Sequence, residues 1–142
     1  MYLWDTNILR HFASGHSTLR DHLQRVAWAE IALPSVVVAE VVQGRADYAL
    51  KATPQQAPLA HRLLLETLQL LHTFAWLAFD QDSAAELLRL QRSVQTRKRY
   101  ADAQIAAMAL AGRHIVVTRN QAHFVDLLPP AQLANWIDEP PR

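Results

Sequence analysis

The segment His114-Ile115-Val116-Val117-Thr118 places four β-branched residues in a row, and it follows the helix-forming stretch Ala101 to Ala111 after Gly112. A short apolar run set directly after a longer helical stretch recurs along this chain. Strands separated by crossover helices build a parallel sheet, so this alternation predicts an α/β layered domain.

The other expected strands are Met1 to Trp4, Ile31-Ala32-Leu33 ended by Pro34, and Trp76 to Phe79. After the first comes a turn at Asp5-Thr6-Asn7 and a helix holding Ile8, Leu9 and Phe12. A second helix is expected over Thr18 to Ala29, with Leu19, Leu23 and Val26 on one face. Ser35 is read as the cap of a third, which carries Val38, Val41, Val42 and Glu40 until Gly44 permits a stop. The run Val36-Val37-Val38 would equally suit an extended strand. A long helix follows from Gln56 to His72, and another begins at Asp82 or Ser83 and runs through Gln95.

The chain has 142 residues, 51% of them hydrophobic and 19% charged, which suits one folded domain over residues 1–142 with its own core. No stretch approaches the roughly 20 apolar residues of a membrane span, and the N-terminus lacks the layout of a signal peptide. The expectation is a cytoplasmic protein without a membrane association. With no cysteine, thiolate zinc sites and disulfides are excluded, so a metal would need oxygen or histidine ligands. The seven histidines form neither an H-E-x-x-H pair nor a compact cluster. A net charge of +1 supplies no overall field toward nucleic acid, so any such binding must rest on a local basic surface.

Three acids stand in apolar settings: Asp5 after the first strand, Glu40 within a valine-rich helical run, and Asp102 in Tyr100-Ala101-Asp102-Ala103-Gln104-Ile105. Taken singly, each has an ordinary use as a turn, cap or first-turn residue. If they converge to about 5 Å, each pair repels by about 3 kcal/mol at an effective dielectric near 20, and the cluster must take up protons or a cation. Hard magnesium or manganese favours carboxylate and water oxygens, and it supports attack of water on a phosphodiester. In open α/β sheets such groups collect beyond the C-terminal ends of the strands, where Asp5, Thr118, Arg119 and Asn120 are expected.

These motifs, taken together, resemble the PIN-domain family, specifically its VapC-like toxins, ribonucleases of toxin–antitoxin pairs. The likeness rests on Leu3-Trp4-Asp5-Thr6-Asn7, on Leu33-Pro34-Ser35-Val36-Val37-Val38-Ala39-Glu40-Val41 with Gly44, and on Asp102-Ala103-Gln104-Ile105-Ala106-Ala107. It continues through Val116-Val117-Thr118-Arg119-Asn120, Phe124 and Asn135-Trp136. It implies a PIN-like fold with a central parallel sheet flanked by helices. It also implies a metal-dependent endoribonuclease in which Asp5, Glu40 and Asp102 bind Mg2+, with Mn2+ as a substitute. Asn120 is the fourth catalytic position, and Thr6 and Thr118 support the site. Relatives carry either Asn or Asp at that fourth position, and Asn here favours one ion over two.

The resemblance further implies RNA as substrate, tRNA or rRNA among the options, a cognate small antitoxin and a homodimer. Two departures stand out. Many relatives carry an acid where this chain has His123, with Asp126 displaced by three positions. A glycine-containing loop common before the third acid is replaced by Thr96-Arg97-Lys98-Arg99-Tyr100. Arg97, Lys98, Arg99 and Arg119 are candidate RNA contacts, with Tyr100 a candidate stacking face, although the basic run would equally serve as a solvated helix end and Arg119 as a carboxylate partner. The rival readings are a catalytically silent PIN scaffold binding RNA or protein, and a nucleotide-binding or receiver-like domain. The second is opposed by the absence of a Gly-rich phosphate loop and by the presence of only two lysines, Lys51 and Lys98.

Overall fold

A computed structural model describes residues 1–142. Its five strands are β1 (Tyr2–Trp4), β2 (Ile31–Pro34), β3 (Ala75–Leu77), β4 (Ile115–Val117) and β5 (Leu133–Ala134). They form one sheet in the order β3-β2-β1-β4-β5, and every pairing is parallel. Tyr2 lies opposite Ile31 on one side and Ile115 on the other, so β1 is the central strand. Strand order reverses direction between β1 and β4, and a crevice opens beyond their C-terminal ends at such a reversal.

Six helices connect the strands: α1 (Thr6–Ala13), α2 (Ser17–Leu23), α3 (Ser35–Lys51), α4 (Ala57–His72), α5 (Gln81–Ser93) and α6 (Tyr100–Gly112). α3 packs on α4, and α5 on α6. α6 is buried nearly all round through Ala103 and Ile105 to Ala109, which explains its apolar sequence without a polar stripe. The core gathers Leu3, Trp4, Leu33, Ile105, Met108 and Val116 around the sheet. No helix is long and apolar enough to cross a membrane.

Several boundaries differ from the sequence expectation. The helix expected over Thr18 to Ala29 stops at Leu23 and is followed by a 3-10 turn, Trp28–Glu30. There the Glu30 carboxylate accepts the Ala27 N–H at 3.0 Å, and the Trp28 indole N–H reaches the Thr73 carbonyl at 2.9 Å. Ser35 is the first residue of α3 rather than its cap, and it makes no capping bond.

Gly44 does not end α3. The helix runs on to Lys51, because packing against α4 outweighs the roughly 0.5–1 kcal/mol that a mid-helix glycine costs relative to alanine. Arg45 Nε donates to the Thr67 hydroxyl across that seam at 3.1 Å, and Ala49 is buried beyond it. The same packing settles the Val36-Val37-Val38 run as helix. The start of α5 is capped by Asp80, whose Oδ1 accepts both the N–H and the hydroxyl of Ser83 at 2.8 Å. β3 begins one residue before Trp76 and ends before Phe79.

Candidate functional site

The site begins with Asp5, which ends β1 and opens α1 in one residue. Its extended backbone (φ −75°, ψ 162°) turns the carboxylate back over the first helical turn, where Oδ1 accepts the Thr6 N–H at 2.8 Å. Oδ2 accepts Asn7 Nδ2 and the Thr118 hydroxyl, each at 2.9 Å. Only 8% of Asp5 is exposed, and three donors hold its nearly buried carboxylate in place.

Thr118, fully buried at the end of β4, is the keystone of that arrangement. Its single proton goes to Asp5, and its oxygen accepts Asn7 Nδ2 at 3.2 Å and the Asn120 N–H at 3.0 Å. Asn7 also accepts the Arg119 N–H at 3.1 Å, so its amide ties the ends of β1 and β4 together with both of its faces. The sequence reading passed over Asn7. Its signal was present in Asp5-Thr6-Asn7, since an amide two residues after a strand-end acid can both donate and accept.

Glu40 comes from α3 and receives the Thr6 hydroxyl at 3.4 Å. Asp102 comes from the first turn of α6, where a helix N-terminus favours negative charge, and its Oδ2 lies 3.4 Å from His123 Nδ1. Glu40 and Asp102 line a common depression of about 540 Å³ together with Lys98, Tyr100 and His123. Both have raised pKa values. For Glu40 the larger cause is shielding from solvent and the next is the charge of Asp5, opposed by the Thr6 bond, with Asp102 adding to the rise. For Asp102 the causes are again burial and then Asp5, opposed by His123 and Arg99. The three acids therefore share one electrostatic field.

The three acids do not close to ligation distance, and no three His, Asp or Glu side chains do so anywhere in the chain. The donor set is all oxygen, and Glu40 Oε2 and Asp102 Oδ1 accept no protein hydrogen bond. That chemistry suits a hard, partly hydrated cation.

The remaining candidates divide. Asn120 approaches through its backbone, bonded to Thr118, and its side chain forms no hydrogen bond. Arg119 is held by Asp138 through Nε at 3.1 Å and Nη2 at 3.1 Å, so its guanidinium is committed to a carboxylate rather than offered to a phosphate. Arg99 is likewise taken, bidentate on Asp126 and reaching the His123 carbonyl at 3.2 Å. Asp126 consequently serves Arg99 instead of replacing an acid at the site. Arg97 and Lys98 have no ion pair or hydrogen bond and stay exposed. Of the four tryptophans, Trp4 and Trp136 are core, and Trp28 and Trp76 are about half exposed.

A family model described as "PIN domain" matches residues 2–127. Among solved structures, the chain is similar to one from a toxin–antitoxin complex of Klebsiella pneumoniae, at 24% identity over 96% of this chain and 98% of that one, with a TM-score of 0.68. It is similar to FitAcB from Neisseria gonorrhoeae at 23% identity, covering 98% and 100%, with a TM-score of 0.73. VapBC-1 from nontypeable Haemophilus influenzae is 17% identical, covering 95% and 97%, with a TM-score of 0.70. A comparison with curated proteins returned no match.

The raised pKa of Asp102 carries a sign that stability measurements can read. Because the folded state holds this proton more tightly than the unfolded chain, the carboxyl favours folding below its unfolded pKa and loses that contribution as pH rises through the folded value. Ionised Asp102 therefore opposes folding at neutral pH. In metal-free buffer, Asp102→Asn should raise the thermal midpoint at pH 7.5, and the gain should shrink as pH falls toward about 4, the ordinary aspartate value. A variant less stable than the native chain at pH 7.5 would contradict this electrostatic description.

Proposed function

The chain belongs to the PIN domain family, and from that premise we propose that it is a metal-dependent endoribonuclease, the toxin of a toxin–antitoxin pair. The observation that carries the reading is that Thr6 bridges Asp5, at the end of β1, to Glu40, while Glu40 and Asp102 line one depression. Carboxylates from three separate elements, two of them held above their ordinary pKa values, are disposed to receive a cation and are poorly placed to serve as caps alone.

In this reading Asp5, Glu40 and Asp102 hold one magnesium ion, with manganese as a substitute. Such an ion, when bound, lowers the pKa of a coordinated water and offsets the charge that develops on a phosphate under attack. The residues of the chain do the positioning. Asn7 and Thr118 fix Asp5 in one rotamer, so little reorganisation is left at the moment of reaction. Thr6 spans Asp5 and Glu40, donating its N–H to one and its hydroxyl to the other. Lys98, on the rim of the same depression and free of an ion pair, is available to a substrate phosphate. His123 is placed to accept or deliver a proton beside Asp102, at the position where the sequence departs from an acid.

An antitoxin is supported by the assemblies that the structural relatives belong to, which are toxin–antitoxin complexes. A homodimer is supported by Leu59 and Leu65, which stay exposed on α4. Light scattering of the purified chain should return twice the 16.1 kDa of the monomer, and a monomer at every accessible concentration would remove the dimer.

The function itself is tested on total cellular RNA, incubated with the purified chain and magnesium or manganese. Discrete fragments should appear, and they should vanish with EDTA and in Asp5→Asn. Undiminished cleavage by Asp5→Asn would show that the site is elsewhere. No cleavage by a folded chain, across tRNA and rRNA alike, would favour a catalytically silent scaffold.

A further inference from the structure

The short 3-10 turn Arg97–Arg99 contributes to two depressions, Arg97 lining one and Lys98 and Arg99 the other. One is the acidic depression already described. The other, about 720 Å³, lies at the C-terminal end of α5 and is walled by Gln91, Arg92, Gln95, Thr96 and Arg97. Tyr100 lines both. It stands at the start of α6 with 46% of its surface exposed, so its ring is accessible where the two depressions meet.

The charge of this second depression is one-sided. No acid lines it, and neither Arg92 nor Arg97 forms an ion pair or a hydrogen bond, in contrast to Arg89, Arg99 and Arg119, each of which is paired with a carboxylate. Gln91 and Gln95 are exposed, with both amides unbonded. An exposed aromatic ring, two free guanidinium groups and two free amides match the parts of an unpaired nucleotide: a base face, a phosphate and base-edge donors and acceptors. A base held in a duplex could not stack on Tyr100.

We propose that this depression binds the unpaired nucleotides flanking the scissile phosphodiester, with Tyr100 stacked on a base and Arg92 and Arg97 on backbone phosphates. This rests on the ribonuclease reading above. It also supplies what a chain of net charge +1 otherwise lacks, a local basic surface continuous with the chemistry.

The test measures equilibrium binding of a short fluorescein-labelled single-stranded RNA of mixed sequence to the full chain in EDTA, by anisotropy over a salt series. Losing two phosphate contacts on a single strand should reduce the slope of log affinity against log salt by about 1.4, so R92A/R97A should show that loss and R92K/R97K should keep the native slope. Tyr100→Ala should weaken binding about tenfold, while Tyr100→Phe should not. Unchanged affinity and slope in R92A/R97A would overturn the subsite, as would equal losses in the alanine and lysine pairs. Absence of binding by the native chain in EDTA would overturn it as well. The ribonuclease reading is judged separately, by cleavage of cellular RNA, so the two can fail independently.

Discussion

The carboxylate of Asp5 is held by a backbone N–H from its own helix, an amide from the next turn and a buried hydroxyl from a strand more than a hundred residues away in sequence. Those bonds join the ends of β1 and β4 at the point where the order of the parallel sheet reverses. They also fix the Asp5 carboxylate in a place of limited solvent, near the other two acids. Glu40 and Asp102 have raised pKa values first because burial shields each from solvent and next because each lies in the field of Asp5.

Much of this was legible in the sequence because it depends on local pattern. The β-branched run before Thr118 and the apolar run before Asp5 mark adjacent central strands, and strand ends in a parallel sheet place their following residues on one edge. What was illegible depends on tertiary contact. Gly44 is a good stop signal in isolation, yet α3 continues because its second half packs on α4. β5 has only two residues, Leu133 and Ala134, and exists because Val116 and Val117 offer it an edge to pair with. The cap of α5 shifted to Asp80, since Ser83 supplies two donors that a reading of cap residues alone does not count.

The site shows the same division. The three acids were visible from their apolar settings and motif positions, whereas the fate of the cations was not. Arg99 sits in a basic run that looks uniform in sequence, but Asp126 claims it across 27 positions and leaves its neighbours free. Arg119, next to Thr118 in the chain, is claimed by Asp138 in the same way. A cation's use is decided by which carboxylate folds against it, and sequence spacing does not encode that. The outcome is that paired arginines brace the chain, unpaired Lys98 lines the depression of Glu40 and Asp102, and unpaired Arg92 and Arg97 line the other.

The central claim, that Asp5, Glu40 and Asp102 act together as the ligands of one hard cation, is tested most directly by titrating manganese into the RNA-free chain and reading bound ion by calorimetry or electron paramagnetic resonance. The account predicts one ion per chain, and affinity lower by about tenfold or more in each of Asp5→Asn, Glu40→Gln and Asp102→Asn, since loss of outer-sphere partners alone costs about that much. Manganese bound with the same affinity by all three folded variants, or not bound by the native chain, would contradict it.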